Sequence, residues 1–171
     1  VDGASRILGE LTGGQYDRRH DKGEVFVVDH HDAGLRRGVR ALSGGETFQE
    51  ITPIVVNGVL YTTAGNRVVA LDPDSGKEIW RYTLADGVTA SEYGVNYWPG
   101  TVDVAPRIVF TAWRDYASEH SLNALDAATG RPVPGFGRGG IVPIGVGWRG
   151  VPVVFRNVLI VGANVLESAQ N

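Results

Sequence analysis

A mainly β fold is what this sequence predicts: part of a β-propeller, about three blades, behind a small N-terminal α+β segment. Three observations carry the prediction. From Thr52 onward, short β-branched runs are punctuated by Asn-Gly, Asp-Pro, Ser-Gly and Thr-Gly turns. The run Ala70-Leu71-Asp72-Pro73-Asp74-Ser75-Gly76-Lys77 returns as Ala124-Leu125-Asp126-Ala127-Ala128-Thr129-Gly130-Arg131, an offset of 124 − 70 = 54 residues. The run Pro53-Ile54-Val55-Val56-Asn57-Gly58-Val59-Leu60-Tyr61 returns as Pro152-Val153-Val154-Phe155-Arg156-Asn157-Val158-Leu159-Ile160, an offset of 152 − 53 = 99. Offsets near one and two multiples of about 50 indicate repeated four-stranded blades, each with two apolar faces that need neighbours.

The elements follow in order. Ile7, Leu8 and Leu11 recur at helical spacing between Asp2 and Leu11, and Thr12-Gly13-Gly14 stops the helix. Gln15 to Arg19 and Glu24 to Asp29 flank Asp21-Lys22-Gly23 and read as a hairpin. In His30-His31-Asp32 the adjacent histidines of a strand point to opposite faces, so they are not expected to share a metal ion. The grammar changes near Phe48 to Thr52, where β-branching and Pro53 favour extended backbone. This divides the chain into residues 1–49 and 50–171.

In the first blade Val55 and Val56 begin a strand and Val59 to Thr62 pair back across Asn57-Gly58. Arg67 to Leu71 form the next strand, and Ser75-Gly76 turns into Glu78 to Tyr82. Trp80 is placed to lock one blade against the next while its N–H finds a backbone acceptor. Val55, Val59, Leu60, Val69, Leu71, Ile108, Phe110, Leu125, Val154 and Leu159 are all expected in antiparallel strands of adjacent blades. His120, beside Glu119 in a polar stretch, reads as a solvated loop residue.

Bulk properties narrow the function. With 43% apolar and 20% charged residues, the 171-residue chain is ordinary globular material. Sixteen basic against nineteen acidic residues give a net charge of −3 with no basic stripe, so nucleic acid is not expected as a direct partner. The absence of cysteine excludes disulfides, thiolate metal sites and cysteine nucleophiles. No apolar run approaches the roughly 20 residues needed to span a bilayer. The lack of methionine and of a charged-then-apolar leader predicts a fragment or processed product.

Ala-Leu-Asp, two residues, Ser or Thr, Gly, and then Trp80 resembles the tryptophan-docking motif of PQQ-dependent alcohol and glucose dehydrogenases. Gly94-Val95-Asn96-Tyr97-Trp98-Pro99-Gly100 and the stretch from Gly130 to Gly140 resemble two further segments of that family. The resemblance implies a planar tricarboxylated quinone on the propeller axis with calcium against it, and oxidation of an alcohol or sugar by hydride transfer in the periplasm. It implies that Glu50, three residues before Pro53, hydrogen-bonds the cofactor; a solvated strand-end carboxylate is the alternative. Asn164 becomes a possible polar contact to the quinone, and Glu167 a carboxylate ligand for calcium, a cation that prefers oxygen donors. Where the family has an arginine just before Gly94, this chain has Tyr93, which offers one donor but neither charge nor fork. The family's vicinal cysteine pair is absent, and its catalytic aspartate and further calcium ligands lie in later blades. No catalytic residue is therefore assigned, and PQQ and calcium are not expected to be retained by this chain without the remaining blades.

Leu42-Ser43-Gly44-Gly45-Glu46-Thr47-Phe48 resembles a different family's motif, the ABC signature of SMC-like DNA-repair ATPases of SbcC type. Gly13-Gly14-Gln15-Tyr16 and Arg36-Arg37-Gly38-Val39-Arg40 fit the same C-terminal lobe. That resemblance implies a cytoplasmic nucleotide-binding lobe in which Ser43 and the Gly44 and Gly45 amides meet a γ-phosphate at a helix N-terminus. Ser43 and Glu46 also read as a plain capping box. A phosphate loop and an Asp-Glu pair are missing, so autonomous ATP hydrolysis is not expected. The functions carried forward are part of a PQQ-dependent dehydrogenase, a non-catalytic propeller or interaction fragment, and an accessory nucleotide-binding lobe.

Overall fold

The computed structural model describes residues 27–28, 35–36, 51–115 and 119–163, and the elements it contains there are all strands. β1 (Val27–Val28) pairs antiparallel with β2 (Leu35–Arg36). Val27 and Val28 fall in the second run of the expected N-terminal hairpin, and the partner found for them is Leu35–Arg36. The expected helix over 2–11, the run 15–19 and His30-His31-Asp32 lie outside the described residues.

Blade 1 is an antiparallel meander of β3 (Ile54–Val56), β4 (Val59–Ala64), β5 (Arg67–Leu71) and β6 (Glu78–Thr83). Asn57 and Gly58, at φ 51° and 76°, give β3–β4 a turn whose twist matches the strands it joins. β4 runs two residues further than the sequence suggested, because Thr63 and Ala64 pair with Val68 and Arg67. The turn after β5 explains the 54-residue repeat. Asp72 Oδ1 accepts hydrogen bonds from the amides of Asp74 and Ser75 and from the Ser75 hydroxyl, at 3.0, 2.8 and 2.9 Å. Asp126 Oδ1 likewise accepts from the Thr129 amide and hydroxyl, at 2.8 and 2.7 Å. The repeated spacing is thus that of an Asx turn.

Blade 2 is built on β9 (Arg107–Trp113), which pairs with β10 (His120–Asp126), and β10 pairs with β11 (Ile141–Ile144). The other edge of β9 is shared by β7 (Thr89–Ala90) at one end and β8 (Asn96–Trp98) at the other. β12 (Val153–Phe155) and β13 (Val158–Ile160) form the first hairpin of a third blade. The described fold is therefore a partial propeller with unclosed sheets, and all ten residues expected in strands lie in them.

The core sits between blades 1 and 2. Val68 and Ala70 project from β5, and Ile108, Phe110 and Ala112 from β9, with the two-residue period of strands; they cluster with Tyr61, Trp80 and Leu125. Leu60, Val69 and Leu71 form a smaller cluster of their own. Trp80 is 8% exposed and its indole N–H donates to the Ala127 carbonyl at 2.9 Å, as the lock requires. The Tyr61 hydroxyl donates to the same oxygen at 3.2 Å. Burial raises the Tyr61 hydroxyl above its usual pKa, with Tyr97 and Asp126 adding to the effect.

One expectation is corrected. His120 is not a solvated loop residue: it opens β10, is 5% exposed, and pairs with Trp113 on one side and Ile144 on the other. Its polar neighbour Glu119 suggested a loop, but a strand with partners on both edges draws even its first residue inside.

Candidate functional site

Each blade's first strand is preceded by a short lead-in loop, and the three loops meet. The Thr52 amide donates to the Tyr93 carbonyl at 3.3 Å, and Thr52 bridges Gly94 in parallel. Gly94 has φ 108°, and a Cβ there would fall inside contact distance of the Thr52 carbonyl oxygen, so this approach requires glycine. The Tyr93 amide donates to Ser91 Oγ at 3.2 Å, and Ser91 Oγ donates to the Arg149 carbonyl at 2.9 Å. A continuous hydrogen-bonded path thus links blades 1, 2 and 3.

The third lead-in loop is fastened to blade 2 along its length. Thr111 Oγ1 donates to the Gly150 carbonyl at 2.9 Å and Asn96 Nδ2 to that of Pro152 at 3.0 Å. Trp98 Nε1 donates to the Arg156 carbonyl at 2.8 Å. The Trp148 ring is packed so closely on Gly150 and Gly162 that neither position has room for a Cβ. An ion pair completes the junction: Arg149 Nη1 lies 2.8 Å from Glu92 Oε2, with the two side chains 24% and 18% exposed.

Of the residues named from sequence, Tyr93 lies in this junction and is 40% exposed. Glu50 lies just ahead of Ile51, outside the described residues, as do Asn164, Glu167 and the signature residues Ser43, Gly44, Gly45 and Glu46. Among the described residues no group of three or more His, Cys, Asp or Glu gathers to hold a metal.

Two residues escaped the sequence reading. β3, β8 and β12 begin at Ile54, Asn96 and Val153, and the residue four places before each is charged: Glu50, Glu92 and Arg149. The Pro53-to-Pro152 offset, applied to Glu50, leads directly to Arg149. Glu92 carried no such signal, because blade 2 enters β8 without the Pro-Val-Val run.

The junction is rich in donors. The loops that meet here carry the Arg149 guanidinium, the Tyr93 phenol and the Trp148 indole N–H, the last buried without a hydrogen-bond partner among the described residues. Such a set suits an acceptor-rich anion, and it fits one carboxylate-bearing edge of a planar quinone.

Comparison with known proteins bears on this geometry. The chain is 32% identical over 176 residues to the glycerol dehydrogenase large subunit of Gluconobacter oxydans, covering 94% of this chain and 23% of that protein. It is 35% identical over 131 residues to the quinohemoprotein alcohol dehydrogenase of Comamonas testosteroni, covering 69% of this chain and 16% of that one. It is also 40% identical over 74 residues to the SbcC component of the SbcCD nuclease of Deinococcus radiodurans, covering 43% of this chain and 8% of that one. The chain therefore spans about a quarter or less of the length of these relatives. The profile of the glucose/ethanol/alcohol dehydrogenase family, PQQ β-propeller domain, matches residues 31–171, beginning ahead of the change in grammar near residue 50. With that match over most of its length, and the blade meander and indole lock that go with it, the chain belongs to the PQQ β-propeller family of glucose, ethanol and alcohol dehydrogenases.

Proposed function

We propose that residues 50–171 hold one edge of PQQ in a dehydrogenase acting on an alcohol or sugar, and that they supply only part of the cofactor's cage. The observation that carries this reading is the convergence of three successive lead-in loops at Thr52, Tyr93 and Arg149. When bound, PQQ supplies a two-electron acceptor for the hydride of the substrate carbon. The protein's part is to bind and orient it. Tyr93 donates one hydrogen bond, Glu50 accepts from the cofactor's ring or is bridged to it, and Asn164 adds a polar contact. Glu167 contributes a carboxylate to calcium, which takes six to eight oxygens, so Glu167 and Asn164 form a minority of its shell. Relatives named glycerol and alcohol dehydrogenases favour a small alcohol or polyol as the substrate. Remaining blades cover the face of β12–β13 on which Val153, Phe155, Val158 and Ile160 are each more than half exposed, and the family's setting is periplasmic. A non-catalytic interaction role is the alternative use of the same blades.

Backbone amide mapping of the labelled chain with added PQQ tests the reading. Shifts are expected at 51–52, 91–94 and 148–151. Shifts confined to other strands, or none at millimolar PQQ, would overturn it.

A second reading covers residues 1–49, favoured by the likeness to the SbcC nuclease component. Here Ser43, Gly44, Gly45 and Glu46 form an accessory anion site of ABC type, joined near residue 50 to the propeller. A labelled ATP analogue that binds wild type but not Ser43→Ala would support it; equal binding, or none, would remove it.

A further inference from the structure

We propose that the hairpin tips of blades 2 and 3 form a docking surface for an acidic segment of a partner protein, with Arg107 and Arg156 as its cations. The surface lies at the far end of β8 and β12 from the lead-in loops, so it is separate from the quinone edge. In blade 2, Trp98 closes β8 and pairs with Arg107, which opens β9. The loop between them ends in a tight turn: the Thr101 amide donates to the Val104 carbonyl at 2.9 Å and the Val104 amide to that of Thr101 at 3.4 Å. Val102, inside this turn, is fully exposed. In blade 3 the tip is Arg156-Asn157, and the two hairpins are joined where Trp98 Nε1 donates to the Arg156 carbonyl at 2.8 Å. The Arg107 guanidinium stands 5.0 Å from the centre of the Trp98 ring, and that of Arg156 stands 5.3 Å from the centre of the Phe155 ring.

Arg156 occupies a backbone conformation that asparagine fills in blade 1: φ is 52°, against 51° at Asn57. Holding an arginine there costs about 1–2 kcal/mol, and a strained residue of this kind points to use of its side chain. The rings restrain both guanidiniums without neutralising them. Ion pairs between described residues join Arg81 to Glu78, Arg114 to Glu119 and Arg149 to Glu92, and neither Arg107 nor Arg156 takes part. Asp126 faces Arg107 in register, but its Oδ1 accepts from Thr129. Blade 1 shows that such a tip stays open once its sheet face is covered: Val56 and Val59 pack against the core, while Asn57 and Gly58 between them are exposed. By the repeat, blades covering the β12–β13 face leave Arg156 open in the same way. Arginines held on aromatic rings beside an exposed apolar side chain have the composition of a protein interface. Two such cations on a chain of net charge −3 suit a short run of carboxylates and not the long phosphate backbone of a nucleic acid.

The test titrates the purified chain with a capped hexaglutamate peptide and, as its neutral counterpart, hexaglutamine. Dissociation constants are read from the arginine Nε–Hε and Trp98 indole N–H resonances. Wild type should bind hexaglutamate and ignore hexaglutamine. Arg156→Asn and Arg107→Gln should each weaken binding about three- to fivefold, the range of an exposed ion pair. Lys77→Gln, an exposed cation of blade 1, should change nothing. Arg156→Asn places in blade 3 the residue that blade 1 has at this turn, so it should melt no lower than wild type while binding less, which a structural role for Arg156 would not produce. If it does melt lower, the wild-type Arg156 Nε–Hε resonance decides: it must move with hexaglutamate and stay with hexaglutamine. No binding at millimolar hexaglutamate, or equal weakening by Lys77→Gln, would overturn the proposal. So would tighter binding of single-stranded oligothymidine than of hexaglutamate, which would make the surface one for nucleic acid.

Discussion

Gly130→Ala is the perturbation that most sharply tests how the blades are joined. Gly130 has φ 68°, and a Cβ there would lie 2.5 Å and 2.6 Å from two carbons of the Trp80 indole. The left-handed backbone costs an L-residue about 1–2 kcal/mol. Crowding a packed core adds about 1–3 kcal/mol, because the indole is pinned by its hydrogen bond to Ala127 and cannot retreat. The expected loss is about 2–5 kcal/mol, against a total stability of about 5–15 kcal/mol for a domain. Gly87→Ala is the control: φ is 74°, and nothing lies within 4 Å of the added Cβ, so only the backbone cost of about 1–2 kcal/mol should appear. Urea unfolding of both variants gives the packing contribution as the difference. A double-mutant cycle completes the test. Trp80→Ala alone should cost about 3–5 kcal/mol, but it removes the atoms that the added methyl group would strike, so the pair should fall short of additivity by about 1–3 kcal/mol. Equal losses for the two glycine variants, or strict additivity with Trp80→Ala, would refute the indole lock.

Three further outcomes are expected. Arg156 has φ 52°, while Asn57, its equivalent in blade 1, has φ 51°. Asparagine tolerates that conformation, so Arg156→Asn should stabilise by about 0.5 kcal/mol after loss of an exposed cation–π contact, and Asn57→Arg should destabilise, both read by thermal melts. The Ser75 amide, then the Ser75 hydroxyl, hold the Asp72 carboxyl below its ordinary 3.8. Its contribution to stability is therefore complete above that value and lost as pH falls through the lower folded value. Asp72→Asn should flatten the acid limb of a stability-versus-pH curve below about pH 4, and an unchanged limb would contradict the Asx-turn assignment. The purified chain should show no ATPase activity, and Ser43→Ala should change nothing, since neither a phosphate loop nor a water-positioning glutamate accompanies the signature.

The blades were legible because their repeats carry turn chemistry. Asp72 and Asp126 each hold the same turn with a carboxylate, and Asn57-Gly58 fixes a hairpin, so local residues dictate local backbone. The indole lock was legible for the same reason: Trp80 follows the turn at a fixed distance, and its partner Ala127 belongs to the turn's next copy. His120 was misread because its burial comes from β9 and β11, whose pairing no nearby residue announces. The junction was only half legible. Tyr93 could be placed by resemblance and Arg149 by the repeat, and Glu50 lies outside the described residues; the Arg149–Glu92 pair joins loops of different blades and emerges only once the sheets are side by side.

The most direct test of the central claim, that these blades hold one edge of the quinone without completing its site, is a calorimetric titration of the purified chain with PQQ in calcium buffer. Weak heat that does not saturate at micromolar protein is expected, because on the proposed reading Tyr93 offers one neutral donor to one edge and Glu167 with Asn164 would supply only a minority of the calcium shell. A tight one-to-one complex, lost in Glu50→Ala or Glu167→Ala, would contradict it and make this chain a competent quinone-binding protein in its own right.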